Sequence, residues 1–402
     1  MSLSRLFANL ADHPKVTAAL TFDSLLTFVS ITSYLKQHIA WRSAASLTGP
    51  PALLPSDVVE LLGRVLGISP RVYELLEECW EALKELVWPL SSDTWQGSKS
   101  RSEGLFDIFL RHGLDAKIGF LDLYPPVRRC MDPECAGHHF GETRELSDLR
   151  SIRVTVFTQA WGPVPSWLYS AACKGCKTRY YPTYYVHHQR SLRTHYLGAV
   201  PPFIHVTMHT LIETTLCERF RLSMTCAWVS ATNNARIYSR EHSDKPRTFP
   251  RAWPAPSVLS CDLVWDAFFL YTLLEWKANA PKPTQLVLDH DHQQAARLLG
   301  AIQDRNMAMS GHGQPHWNHA CDLCCHIGKN EDGKEYAVRA VVMDGVSIGR
   351  PCCGEHDCKN PLPNQRARFC DDHKHLYNIC SVVGCNAEVD IRKNLFFLIY
   401  PI

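Results

Sequence analysis

The chain has 402 residues, enough for two or three domains and at least one sizeable hydrophobic core. Hydrophobic residues make up 46% of it and charged residues 20%, which is ordinary for a folded soluble protein. The formal net charge of only +2 does not indicate a partner of either charge, so binding partners must be inferred from the local distribution of charge.

Neither a secretory signal nor a membrane span is predicted. The uncharged run Ser24–Leu35 is too short to cross a bilayer, and the run Val154–Cys173 is interrupted by glycine and proline. We therefore expect a soluble, intracellular protein with no membrane partner.

The first 90 residues predict helices. Apolar residues at helical spacing follow Ser56 and stop at Gly67, and a second such pattern begins at Ser69-Pro70 and stops at Pro89. A polar stretch over Ser91–Ser102 predicts a linker or loop. We assign residues 1–125 to a helical N-terminal region.

Strands and helices alternate in the remainder of the chain. Branched and alternating residues predict strands over Ile152–Thr158 and Phe203–Thr207. Helices are expected at roughly 209–222, 228–240, 258–277 and 291–308. The expected class is α+β, mostly helical, with two cysteine-rich zinc-binding modules. The first is a zinc-ribbon-like cluster with basic aromatic strands over 126–200, and the second is a cysteine cluster over 311–402. A mixed strand/helix region over 201–310 lies between them in the sequence.

The seventeen cysteines are unevenly placed. Four lie at positions 130, 135, 173 and 176, and nine fall between 321 and 385. Disulfides are rarely kept inside cells, so short cysteine spacings without a signal peptide favour metal binding.

The first cluster consists of two short pairs, Cys130-x4-Cys135 and Cys173-x2-Cys176. Each pair can form a turn that presents both sulfurs to one ion, and four thiolates usually hold tetrahedral Zn²⁺. Gly175 permits the tight turn around the metal. His138 or His139 could replace one cysteine, and four unrelated cysteines remain the alternative.

The surroundings of the first cluster favour nucleic acid. The stretch Leu149–Ile212 contains no Asp or Glu but many basic and aromatic residues, which contact phosphates and stack on bases. The candidate DNA-binding residues are Lys174, Lys177, Arg179, Arg190 and Arg193. Two alternatives stay open: a role of the cations in neutralising the zinc thiolates, and a role of the tyrosines as half-buried sheet residues.

The second cluster has eight candidate ligands, which suit two tetrahedral Zn²⁺ ions. They are Cys321, Cys324, Cys353, Cys358, Cys370, His373, Cys380 and Cys385. Cys352 is an alternative to Cys353, Cys325 and His326 are spare candidates, and the order of the two sites is open. Between Pro315 and Cys385 nine acidic residues face eight basic ones, so protein contact is as reasonable an expectation here as DNA contact.

Several motifs together resemble a known family. The run Arg339–Cys358, with Arg368–His373 and Asn378–Cys385, resembles the second cysteine-cluster domain associated with the KDZ (Kyakuja–Dileera–Zisupton) transposases of fungi. Residues 305–324 fit the same pattern. The stretch Trp228–Tyr238 is the most characteristic part of a resemblance to the first cysteine-cluster domain of those proteins.

The resemblance implies a nuclear, DNA-associated protein. In that family the clusters precede a transposase domain with a ribonuclease-H-like fold, which we do not find in this chain. The final residues Arg392–Ile402 depart from the family's pattern, so we expect a truncated transposon product with no enzymatic activity and no small-molecule substrate.

Other motifs favour competing functions. Asp289-His-Asp-His292 is compatible with a metal-dependent hydrolase, although a polar helix start explains it better. The helix Thr232–Arg240 could read base edges or could be amphipathic and packed. Asp344-Gly345 between apolar β-branched runs predicts a hairpin turn. We expect a zinc-binding, DNA-associated accessory protein, with a zinc-stabilised protein-interaction adaptor as the alternative.

Overall fold

The computed structural model describes most of the chain. Described residues are 3–43, 49–90, 99–135, 144–187, 191–243, 249–250, 253–280, 282–310, 326–329, 331–338, 340–343, 346–349, 353–355, 358, 360, 362–364 and 367–379. The chain forms two compact units. One comprises Met1–Phe220 with Ala235–Gln294, and the other comprises Arg221–Asn234 with Ala295–Ile402.

The first unit begins with helices that bury one apolar stripe each. They are α1 (Leu3–Ala11), α2 (Pro14–Ala19), α3 (Phe22–Tyr34), α4 (Lys36–Arg42), α5 (Ser56–Leu66), α6 (Glu74–Val87) and α7 (Lys99–Ile108). Helix α5 ends where Gly67 adopts a left-handed φ of +67°, as its sequence predicts. The core between these helices includes Phe28, Leu61 and Trp80, all fully buried.

A curled sheet of eight strands also belongs to this unit. Its strands are β1 (Ser147–Thr158), β2 (Gly162–Ala172), β3 (Arg179–Tyr180), β4 (Tyr184–His187), β5 (Leu192–His195), β6 (Phe203–Thr207), β7 (Thr210–Glu213) and β8 (Val287–Asp289). The order is β6-β7-β1-β2-β3-β4-β5-β8, and only β1 and β7 pair in parallel.

The expectation of a mostly helical fold is wrong, although the class is α+β. The eight-stranded sheet, rather than an inserted ribbon, organises the middle of the chain. Strand β2 was missed because it is buried on both faces and therefore lacks the alternation that marks a half-buried strand. It also contains Pro163 and Pro165, which usually argue against an inner strand.

Four further helices follow β7 along the chain. Three lie within three residues of their predicted bounds, whereas the helix predicted at 209–222 begins only at Thr214 because Thr210–Glu213 form β7. The four helices are α8 (Thr214–Cys226), α9 (Ala231–Glu241), α10 (Cys261–Ala278) and α11 (Gln294–Ser310). Helices α8 and α9 each contain residues of both units. Within the described residues, none of the helices is long and apolar enough to cross a membrane.

The second unit contains two small antiparallel ribbons. Strands β9 (His326–Lys329) and β10 (Glu335–Val338) form one, and β11 (Ala340–Met343) and β12 (Val346–Gly349) form the other. Met343 faces Val346, which leaves a two-residue connection and supports the predicted hairpin. Asp344 and Gly345 themselves lie outside the described residues.

Candidate metal centres

The strands around the first cysteine cluster bring its two pairs together. Cys130 and Cys135 lie in the segment before β1, where the Cys130 N–H donates to the Arg144 carbonyl over 2.8 Å. Cys173 and Cys176 lie in the turn that connects β2 to β3, two antiparallel neighbours in the sheet. The pairing of the strands thus brings together two cysteine pairs that are about forty residues apart in the sequence.

The four sulfurs of this cluster have the spacing of a tetrahedral metal site. Cys130 Sγ lies 3.6 Å from Cys176 Sγ, and Cys135 Sγ lies 3.6 Å from Cys173 Sγ. With Zn–S bonds of about 2.3 Å, sulfurs around a tetrahedral zinc lie about 3.8 Å apart. A disulfide would need about 2.05 Å. The residues present therefore fit a metal ion, and Zn²⁺ suits four thiolates.

Burial disfavours ionisation of the Cys130 sulfur in this site. Cys130, Cys135 and Cys173 are buried and Cys176 is half-buried. Burial raises the pKa of the Cys130 thiol to about 12, so this sulfur stays protonated at neutral pH unless a cation stabilises its thiolate. Metal binding is consequently coupled to proton release and to folding of the surrounding segments.

A second group of ligands lies in the second unit. Cys353, Cys358, Cys370 and His373 place one donor atom each within 4.8 Å of the others. His373 Nδ1 lies 3.5 Å from Cys353 Sγ and 3.3 Å from Cys370 Sγ, and Cys358 Sγ lies 3.8 Å from Cys370 Sγ. Three thiolates and one imidazole form a closed ligand set that also fits tetrahedral zinc.

A short 3-10 helix and a very small core support this second site. The helix Asp371–Asn378 follows Cys370 directly, and the His373 N–H donates to the Cys370 carbonyl over 3.1 Å. Phe369 and Leu376 are buried beside the ligands. Among the described residues these are the buried side chains of this cluster that are not ligands, so a bound metal would add to its local stability.

The structure thus assembles half of the predicted second cluster. Of the adjacent cysteines it is Cys353 that joins the site, while Cys352 lies outside the described residues. Cys321, Cys324, Cys380 and Cys385 also lie outside them, so a further site made by these four stays a prediction. His138 and His139, the possible substitutes in the first cluster, are outside the described residues as well.

Two contacts between side-chain hydroxyls and cluster sulfurs were not predicted from the sequence. The Tyr180 hydroxyl lies 3.4 Å from Cys130 Sγ, and the Thr178 hydroxyl lies 3.2 Å from Cys176 Sγ. Thr178 is two residues from a ligand, so a local hydroxyl was at least visible in the sequence. The Tyr180 contact joins residues fifty positions apart and depends on how β3 pairs with β2.

The predicted DNA-binding residues lie in different environments. Lys174 and Lys177 are exposed on the turn that holds Cys173 and Cys176. Arg179 forms an ion pair with Asp148 and donates to the Ser170 hydroxyl. Arg193 packs 4.6 Å from the centre of the Tyr184 ring. Arg190, the fifth candidate, lies outside the described residues.

Most of the aromatic residues considered for base stacking are packed inside the unit. Tyr180, Tyr184 and Trp167 are buried, and Tyr181 and Tyr185 are half-buried. Tyr180 stacks on Tyr185 with ring centroids 5.5 Å apart, and Tyr181 stacks on Tyr184 at 4.8 Å. The alternative that these tyrosines are sheet residues therefore fits their positions better.

Helix α9 is amphipathic, with Ala235 and Tyr238 buried. Asn234 is buried too: it accepts a hydrogen bond from the Ser223 hydroxyl over 2.7 Å and donates to the Val229 carbonyl. The residues Asn233, Arg236, Ile237 and Arg240 are exposed. Packing within the protein therefore accounts for the buried position of the Asn234 side chain. A partner could contact only the exposed face of helix α9.

The Asp289–His292 segment lies at the edge of the sheet. Asp289 ends β8, and its carboxylate lies 3.1 Å from His292 Nδ1, with both side chains more than half exposed. His290 Nδ1 accepts a hydrogen bond from Arg193 Nε over 3.3 Å. Among the described residues, the ligand clusters are the two above and do not include this segment.

Two groups of four buried or half-buried Cys and His side chains define the chain as one with two candidate metal sites of the structural type. Residues 118–242 match the CxC5 like cysteine cluster associated with KDZ transposases, and residues 342–394 match the CxC6 like cysteine cluster associated with the same transposases. The predicted resemblance is confirmed. The second match begins at residue 342, so the resemblance of residues 305–324 stays a prediction. No significant match was found among curated proteins or solved structures.

Proposed function

We propose that the chain is a zinc-stabilised accessory region of a transposon-encoded protein, and that it binds DNA in the nucleus through the turn of its first metal centre. The family matches support the transposon context. The observation that carries the DNA proposal is the exposure of Lys174 and Lys177 on either side of Cys176. Cations held on a metal-fixed turn present a rigid surface to phosphates.

The two metal centres fit a structural role better than a catalytic one. Catalytic zinc keeps one position open for water or substrate, whereas each described centre has four protein ligands. No catalytic step is therefore assigned to either centre, and we propose that the region itself is not an enzyme.

The two exposed lysines have two possible roles, contact with DNA phosphates or neutralisation of the zinc thiolates, and the DNA proposal requires the first. A zinc ion with four thiolates carries a formal charge near −2, so Lys174 and Lys177 could serve to offset that charge alone. If they contact phosphates, each contributes about 0.9 to the slope of log affinity against log salt concentration. If they only offset the thiolates, replacing them leaves that slope unchanged.

The test is fluorescence anisotropy of a labelled DNA duplex with the zinc-loaded chain over a series of salt concentrations. We expect the double substitution Lys174→Glu and Lys177→Glu to weaken binding and to lower the slope by about two. The matched control changes the exposed Arg71 and Lys282 to Glu, which alters net charge equally but far from the turn in sequence. Equal losses in both variants, or no salt-dependent binding by the wild type, would contradict the proposal and favour a protein-interaction adaptor.

A further inference from the structure

The first metal centre has a hydroxyl donor beside one of its sulfurs. The Met131 N–H donates to the Tyr180 hydroxyl oxygen over 2.9 Å. With that oxygen acting as the acceptor, the single phenol hydrogen is free to point at Cys130 Sγ, 3.4 Å away. Tyr180 is fully buried, so water does not compete for this contact.

A second hydroxyl lies beside a second sulfur. The Thr178 hydroxyl is 3.2 Å from Cys176 Sγ, and the Thr178 side chain is buried. With Cys176 as a thiol, its Sγ is the donor in this contact. A metal-bound thiolate has no hydrogen to give, so the threonine hydroxyl would then be the donor. The two sulfurs that receive these hydrogen bonds are themselves 3.6 Å apart. The donors therefore act together on one edge of the cluster.

The second metal centre lacks this arrangement among the described residues. There the Cys370 N–H donates to Cys353 Sγ over 3.4 Å, and the Asn360 amide approaches Cys370 Sγ at 3.8 Å. These donors are amides rather than hydroxyls, and Asn360 also donates to the Asp372 carboxylate over 2.9 Å. Cys358 and His373 are half-buried, whereas only Cys176 is half-buried in the first centre.

We propose that Tyr180 and Thr178 are positioning residues that hold the first zinc in place, so that this centre exchanges its metal more slowly than the second. A hydrogen bond to a metal-bound thiolate reduces the basicity of the sulfur and fixes the orientation of the cysteine side chain. Loss of a group that hydrogen-bonds to a metal ligand typically lowers metal affinity about 10–100-fold. The inference rests on the proposed zinc binding and goes beyond it by ranking the two centres.

The test measures zinc release from the full chain to a chromogenic chelator. We expect a fast and a slow phase, with Cys370→Ser removing the fast one and Cys173→Ser the slow one. Tyr180→Phe should accelerate the slow phase about tenfold and leave the fast phase unchanged. The matched control is Tyr185→Phe, which removes a hydroxyl from the next strand that accepts a hydrogen bond from Gln285 Nε2.

Further variants separate positioning from simple destabilisation. Thr178→Val should accelerate the slow phase as well, whereas Thr178→Ser, which keeps the hydroxyl, should release zinc at the wild-type rate. If Tyr180→Phe does not fold, these two threonine variants test the inference in its place. In cobalt-loaded protein, Tyr180→Phe should move the sulfur-to-metal charge-transfer band to longer wavelength. A slow phase within twofold of wild type in both Tyr180→Phe and Thr178→Val would overturn the inference alone. A folded chain without zinc would overturn the proposed function itself.

Discussion

At the scale of single residues, burial decides the chemistry of groups that a sequence presents as ordinary. His205 lies in β6 with 2% of its surface exposed, and its Nε2–H donates to the Met208 carbonyl over 3.3 Å. Burial, reinforced by the Arg193 charge, lowers the pKa of His205 to about 3. This histidine is therefore a neutral part of the core.

The buried His205 predicts a specific acid sensitivity. In the unfolded chain a histidine titrates near pH 6.5, so below that pH the unfolded state binds a proton that the folded state does not. The contribution is fully present above pH 6.5 and is lost as pH falls, by up to about 1.4 kcal/mol per pH unit. Chemical unfolding between pH 5 and 6.5 should show a shallower loss for His205→Gln. His292→Gln is the control because that side chain is 62% exposed, and an unchanged slope in His205→Gln would contradict the assignment.

At the scale of elements, the turn between β2 and β3 is the part on which the first metal centre depends most. The Lys177 N–H donates to the Cys173 carbonyl, and the Cys173 N–H donates to the Thr178 carbonyl, both over 3.0 Å. Lys177 adopts a left-handed φ of +61°. A Cβ on Gly175 would lie only 2.9 Å from Cys135 Sγ, so glycine is required here by the close approach of a ligand.

Gly175→Ala should therefore disrupt the first centre. The added methyl cannot be accommodated without moving the turn or the ligand, and zinc content should fall by about one ion per chain. The matched control is Gly104→Ala in α7, where a Cβ would meet nothing within 4 Å. Elemental analysis that finds equal zinc in Gly175→Ala and wild type would show that the turn tolerates the methyl group.

The grouping of the cysteines could be predicted from the sequence because metal sites use short local pairs, and Cys173-x2-Cys176 is visible without any fold. Helix α5 and strand β6 were predicted for similar reasons, since their patterns are local. The hydroxyl contact from Tyr180 and the burial of the aromatic strands could not be predicted, because both depend on strand pairing across the sheet. Sequence composition alone made those aromatic residues resemble a stacking surface.

At the scale of the whole molecule, each compact unit contains one described metal centre. The first lies where the inner strands β2 and β3 meet, and its buried cysteines pack with Tyr180. The second packs with Phe369 and Leu376. Removing zinc should therefore loosen the packing around the ligands in both units.

Elemental analysis of the full chain, purified without chelator, measures whether both centres hold zinc. We expect at least two zinc ions per chain, one for each described ligand group, with Cys173→Ser and Cys370→Ser each losing about one. A folded chain without zinc, or variants with the zinc content of wild type, would contradict this expectation.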